Sequence, residues 1–149
     1  MHRALVAVDG TERDRELLSE AADYAAGTDA ELLLLVTVPE ETIEANSETI
    51  DRIAEVEHTS YSSDTVLASV ENPVRETAEA VIGNGVDYEI RTGVTDERVD
   101  AILQVAEEAG CDHLFMLGRR RSPTGKAVFG DETQRAILNF EGYVTVSFD

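Results

Sequence analysis

The stretch ALVAVD, residues 4–9, is a short apolar run of the kind that predicts a strand buried on both faces of a sheet. Two more runs have the same character, ELLLLVTV at residues 31–38 and CDHLFMLG at residues 111–118. The segments VDYEIRTG, residues 86–93, and GYVTVSFD, residues 142–149, are the two remaining predicted strands. The sequence therefore predicts five strands.

Apolar residues at helical spacing separate these strands, as Leu17, Ala21 and Ala25 do after the first one. Before the predicted strand at residues 86–93, Asn72 and Pro73 predict the N-cap and the first turn of another helix. Strands that alternate with helices predict an α/β fold, here a doubly wound five-stranded parallel sheet with helices on both faces. We expect a single domain over residues 1–149.

Residues 39–71 do not follow this pattern. They are acidic and rich in Ser and Thr, with few apolar positions, and the part that follows His58 is typical of a loop. We expect this segment to be variable and partly disordered.

The charge balance is strongly acidic, with 31 Asp and Glu against 12 Lys and Arg and a formal net charge of −19. Such a surface repels nucleic acid and anionic lipid, so partners of both kinds are disfavoured. Lys126 is the only lysine beside eleven arginines, which favours adaptation to a high-salt cytoplasm over an ordinary acidic protein. The longest apolar segment, Leu32–Val36, is too short to span a bilayer, and we expect a cytoplasmic protein.

Catalytic and metal-binding patterns are absent from the sequence. His2, His58 and His113 lack ligand spacing, and no Ser-His-Asp set or acid/base pair of carboxylates is apparent. Cys111 is the single cysteine, which excludes an intrachain disulfide, and its place at the start of a predicted strand indicates a buried thiol. We therefore predict neither catalytic residues nor a protein-bound transition metal.

A basic, glycine-containing loop, GRRRSPTGKAVFGD at residues 118–131, stands out from this acidic background. It is not a Walker A loop, because Arg120 and Ala127 occupy positions that need glycine and Ser or Thr. Its glycines, its hydroxyls and its cations fit phosphate binding through backbone amides and side-chain donors. The alternative is purely structural, with glycines in turns, solvated arginines, and Asp131 and Gln134 as a capping box.

The carboxyl ends of parallel strands meet at one edge of a sheet, where ligands of doubly wound folds bind. The loops that follow Val8, Val38 and Leu117 are therefore expected to converge on one crevice. Asp9, the turn at Thr37 and the basic loop are predicted to face it.

The run ALVAVDG, the segment TGVTDERVDAILQVAEEAGCDHLFMLG at residues 92–118 and the basic loop together resemble the universal stress protein family. The resemblance covers almost the whole chain, and residues 39–71 match least. It implies the strand order 3-2-1-4-5 and a homodimer formed along the last strand, residues 143–148. An unpaired apolar edge strand is a liability, which gives dimerisation a physical reason as well.

The ATP-binding members of that family carry Gly-x2-Gly-x9-Gly-Ser/Thr after the fourth strand. Gly118 matches the first glycine, and Arg121 stands where the second belongs. Gly130 matches the third glycine but comes one residue early, and Asp131 replaces the hydroxyl residue. A carboxylate at this place repels phosphate, and the neighbouring cations offset that repulsion. The predicted phosphate-binding residues of the loop are Gly118, Arg119, Arg121, Ser122, Thr124, Gly125, Lys126, Gly130 and Asp131.

The resemblance also implies roles outside the loop. Asp9 matches the acidic residue that lies against the ribose and phosphates, Thr37 meets adenine through its backbone, and Leu117 lines the adenine pocket. We predict a regulatory stress protein that binds ATP or another adenine nucleotide, with Mg²⁺ as a possible companion bridging Asp9 or Asp131 to phosphate. Slow ATP hydrolysis is the only activity expected.

Two alternatives stay open. The first is a nucleotide-free dimeric interaction module that uses the basic loop at residues 119–126 to dock an acidic partner. The second, sequence-independent contact of Arg119–Arg121 with RNA or DNA, is disfavoured by the acidic background and by the lack of interleaved aromatic residues.

Overall fold

Five parallel strands form the sheet of the computed structural model, which describes residues 2–40, 63–118 and 130–148, with the backbone alone at residues 63–68. The described elements, in chain order, are β1 (Arg3–Val8), α1 (Asp14–Thr28), β2 (Glu31–Val38), α2 (Ser63–Val81), β3 (Tyr88–Val94), α3 (Arg98–Ala109), β4 (His113–Gly118), α4 (Asp131–Asn139) and β5 (Tyr143–Phe148). The strands lie in the order β3-β2-β1-β4-β5 and pair in parallel throughout. The predicted fold class and strand order are confirmed.

Helices cover both faces of the sheet, which explains why the central strands are apolar without alternation. Successive strand residues point to opposite faces. Leu34 therefore packs in the core beneath α1 and α2, whereas its neighbours Leu33 and Leu35 pack beneath α3 and α4. Each of these leucines is at most 2% exposed.

The helix α2 corrects the predicted start at Asn72 and Pro73. It begins at Ser63 and runs through Pro73 to Val81. A proline inside a helix lacks the N–H for one backbone hydrogen bond, so the sequence argues for a start there. The buried apolar stripe overrides this preference, because Val70, Val74 and Ala78 recur every four residues on both sides of the proline and pack into one core. The segment at residues 41–62 lies outside the described residues.

The edge strand β5 has two different faces. Val144 and Val146 pack against the core beneath α3 and α4, whereas Tyr143 is 75% exposed on the other face. The turn that leads into β5 depends on Gly142, whose φ of 139° belongs to glycine and whose missing Cβ would collide with the carbonyl oxygen of Asp112. A dimer along this strand stays a prediction.

Candidate functional site

A cleft of about 310 Å³ opens at the carboxyl ends of β1, β2 and β3. This is the edge at which ligands of doubly wound sheets bind, next to the β1–β4 switch point. The structure thus brings Asp9 and Thr37, two of the predicted site residues, into the same cleft. The described residues that line it are Val8, Asp9, Thr37, Pro39, Thr95, Asp96, Arg98 and Glu132.

The loop between β1 and α1 is organised by Asp14, a residue that the sequence analysis missed. Its carboxylate accepts hydrogen bonds from the backbone N–H of Asp9 at 2.9 Å and of Gly10 at 2.7 Å. Gly10 has a φ of 78°, a left-handed backbone conformation that favours glycine where the chain leaves β1. Asp14 is 4% exposed, and burial raises its pKa, although the two backbone N–H groups act in the opposite direction.

Arg98, the first residue of α3, is the centre of an ion-pair network in the cleft. Its Nη2 donates to Oδ1 of Asp9, and its Nη1 lies 3.5 Å from Oε2 of Glu132 on α4. The side chains of Arg98 and Asp9 are about one-fifth exposed, whereas that of Glu132 is 61% exposed. The guanidinium therefore joins the β1 loop to the first turns of α3 and α4.

The loop that follows β3 closes another side of the cleft. The backbone N–H of Thr95 donates to the carbonyl of Val38 at 2.9 Å, and Thr95 Oγ1 accepts from the N–H of Glu97. Asp96 Oδ1 accepts from the N–H of Glu40 at 3.1 Å. The bonds from Thr95 to Val38 and from Glu40 to Asp96 tie the ends of β2 and β3 together, so this side of the cleft is held by both backbone and side-chain hydrogen bonds.

Leu117 and Gly118 lie at the end of β4, and neither is among the described residues that line the cleft. Leu117 is 6% exposed in the core beneath α1 and α2. A Cβ at Gly118 would lie 2.6 Å from Cγ1 of Val146, so close packing against β5 accounts for this glycine. Arg13 was also missed by the sequence analysis, and its Nη2 donates to the carbonyls of Gly118 and Ser147.

Gly130 and Asp131 lie where α4 begins, next to Glu132 of the cleft. Gly130 is the N-cap, and its carbonyl accepts from the N–H of Gln134 at 2.9 Å. Asp131 is the first helical residue, so the capping box with Asp131 as the cap, which belonged to the purely structural alternative, is wrong. The remaining loop predictions fall outside the described residues; they are Arg119, Arg121, Ser122, Thr124, Gly125 and Lys126.

The described lining of the cleft carries three carboxylates, of Asp9, Asp96 and Glu132, and one guanidinium, of Arg98. Carboxylates accept hydrogen bonds from sugar hydroxyls, and a guanidinium pairs with phosphate or carboxylate. No group of three side chains suited to a metal ion occurs in the parts of the chain that the structure describes. The lining therefore suits a polar ligand that carries both hydroxyl and anionic groups.

Solved structures with the same fold include universal stress proteins. UspA from Lactobacillus plantarum has a TM-score of 0.69 at 16% identity, with 97% of this chain and 96% of that chain covered. A universal stress protein in complex with cAMP has a TM-score of 0.61 at 17% identity, covering 99% and 96%. The one from Archaeoglobus fulgidus in complex with dAMP has a TM-score of 0.58 at 18% identity, covering 98% and 97%. At such identities these likenesses show the fold.

The sequence provides the evidence for the family. No curated protein matches this sequence. Among the helices that the structure describes, none is long and apolar enough to cross a membrane. The model of the universal stress protein family matches residues 1–147, which is nearly the whole chain. The chain therefore belongs to the universal stress protein family.

Proposed function

We propose that the cleft binds an adenine nucleotide and that the protein acts as a nucleotide-responsive regulator. The observation that carries this proposal is the meeting of Asp9 and Thr37 in one polar cleft at the carboxyl edge of the sheet. Two universal stress proteins of the same fold are complexes with cAMP and dAMP, which supports an adenine ligand. ATP, with Mg²⁺ bridging its phosphates to a carboxylate, is the ligand that we favour.

Charge is the main physical obstacle to an ATP ligand. Asp9, Asp96 and Glu132 repel phosphate, and Arg98 neutralises one charge of the three. A divalent cation neutralises part of this repulsion. Molar salt also weakens it, because exposed charges more than about 3 Å apart are then largely screened from each other. Binding should therefore strengthen with Mg²⁺ for ATP and depend little on Mg²⁺ for adenosine.

Calorimetric titration of the purified protein in molar KCl tests the proposal. AMP, ADP and ATP are titrated with and without Mg²⁺, and GTP serves as the matched control for the base. Saturable binding of the adenine nucleotides, weakened in an Asp9→Asn variant, is the expected result. Absence of binding for all three at millimolar ligand would refute the proposal. A parallel phosphate-release assay measures the predicted slow hydrolysis of ATP.

A nucleotide-free interaction module is the second candidate, favoured by one specific observation. The only guanidinium of the described cleft lining is already paired with Asp9 and Glu132, so the cleft offers an incoming phosphate no free cation of its own. In this case the wild-type protein does not bind ATP, whereas an Asp131→Ser variant gains binding. A wild-type protein that binds ATP would rule the second candidate out.

The dimer is proposed along β5, whose outer edge has no strand partner in the described chain. An unpaired edge with exposed Tyr143 favours pairing with a second copy. Light scattering during size-exclusion chromatography should give twice the mass of one chain. A monomer at all protein concentrations would contradict this arrangement.

A further inference from the structure

We propose that Arg98 binds the phosphate of the nucleotide and that Glu132 competes with this phosphate for the same guanidinium. The inference rests on the proposed nucleotide function. It adds a specific phosphate-binding residue and an internal competitor that sets the affinity for charged ligands.

The backbone amides of the β1 loop are unavailable to a phosphate. Glycine-containing loops at the ends of strands commonly bind anions through backbone N–H groups. Here the N–H groups of Asp9 and Gly10 already donate to the buried carboxylate of Asp14. Asp14 is 4% exposed and is held by its own helix, so a ligand does not displace it easily. A phosphate in the cleft therefore needs donors from outside the β1 loop.

Arg98 is the remaining donor with a positive charge among the described residues that line the cleft. A guanidinium has five N–H donors in a planar fork, which suits bidentate contact with phosphate. Arg98 also begins α3, where the helix dipole adds partial positive charge. Asp9 keeps one arm of the fork in place through its bond to Nη2.

The two acidic partners of Arg98 differ in how firmly they hold it. The side chain of Asp9 is about one-fifth exposed and hydrogen bonded, whereas the side chain of Glu132 is 61% exposed and lies 3.5 Å from Nη1. An exposed ion pair such as that between Arg98 and Glu132 contributes little free energy. A phosphate with more charge and three oxygens can replace Glu132 at Nη1 while Asp9 stays bound. Glu132 therefore occupies the position of the ligand's anionic group.

Adenosine and AMP separate the nucleoside contact from the phosphate contact. Both are titrated by calorimetry into the wild type, Arg98→Gln, Glu132→Gln and the double variant. Loss of the guanidinium should weaken AMP about 10- to 100-fold and leave adenosine within about twofold. Loss of the Glu132 charge should strengthen AMP about fivefold at low salt, and this gain should vanish in the double variant and in molar KCl.

Arg135→Gln is the matched control, because Arg135 pairs with Asp100 at 2.6 Å between the same two helices and outside the cleft. It should not change the affinity for either ligand. Equal weakening of adenosine and AMP by Arg98→Gln, or an unchanged AMP affinity in Glu132→Gln, would overturn the inference while the nucleotide function stands. Because Glu132 is exposed, its variant tests the idea even if Arg98→Gln fails to fold. A wild type that binds neither ligand would overturn the inference, and the nucleotide function would fall with it only if ADP and ATP also do not bind.

Discussion

Replacing Asp14 by alanine should lower the free energy of unfolding by about 2 kcal/mol. The variant removes the acceptor for two backbone N–H groups, those of Asp9 and Gly10. A hydrogen bond to a charged group contributes roughly 1.5 kcal/mol or more, which gives about 3 kcal/mol for the two. Because Asp9 and Gly10 border solvent, water replaces part of this loss. Asparagine retains one acceptor oxygen, so Asp14→Asn should lose about half as much.

The pH dependence of this effect has a definite sign. Burial raises the pKa of Asp14 above its usual 3.8, so the native state holds this proton more tightly than the unfolded chain does. The stability that Asp14 contributes is therefore fully present below the unfolded pKa and falls as the pH rises through the folded pKa. The difference in unfolding free energy between wild type and Asp14→Asn should accordingly favour the wild type more at acid pH than at pH 7.

Urea unfolding followed by circular dichroism in molar KCl, repeated at several pH values, measures both quantities. Asp23→Ala is the control, because this exposed carboxylate on the same helix should change the stability by less than about 0.5 kcal/mol. If Asp14→Ala unfolds within about 0.5 kcal/mol of the wild type, the two N–H bonds do not hold the loop as we argue. The same variant should weaken nucleotide binding, since the loop carries Asp9.

Three other outcomes follow from burial and backbone geometry. Gly142→Ala should lower the free energy of unfolding, measured in urea, by about 2 kcal/mol or more, because position 142 has a positive φ and a Cβ there would meet a backbone carbonyl. Gly85→Ala should be nearly neutral in the same assay, because a Cβ at position 85 would meet no atom within 4 Å. Leu34→Ala should cost about 2–5 kcal/mol in the same assay, and Leu138→Ala, 72% exposed, less than about 0.5 kcal/mol. Cys111 should react with a thiol reagent at pH 8 only after unfolding, since burial raises its pKa to about 11; rapid labelling of the native protein would contradict this.

The missed site residues show which information the sequence lacked. Asp14 reads as an ordinary acidic residue in the first turn of a helix, where the dipole favours acids. Its spacing of five from Asp9 was the available signal, because a carboxylate there can accept from the turn that precedes the helix. Arg98 and Glu132 had no such signal. Arg98 is 89 positions from Asp9, and only the folding of the sheet brings them together.

Periodicity along the sequence was enough to predict the fold class, whereas the strand order followed from the resemblance to the universal stress protein family. Runs such as ALVAV, residues 4–8, are apolar at every position because both faces of the strand are covered, and this pattern is local. The same strand endings placed Asp9 and Thr37 at one edge of the sheet. The predicted start of α2 was wrong. The unfavourable effect of Pro73 on a helix is local, whereas the packing of Val70 and Val74 that outweighs it involves distant parts of the chain. The partners of Arg98 became visible in the folded chain alone, since an ion pair depends on the distance between segments that are far apart in the sequence.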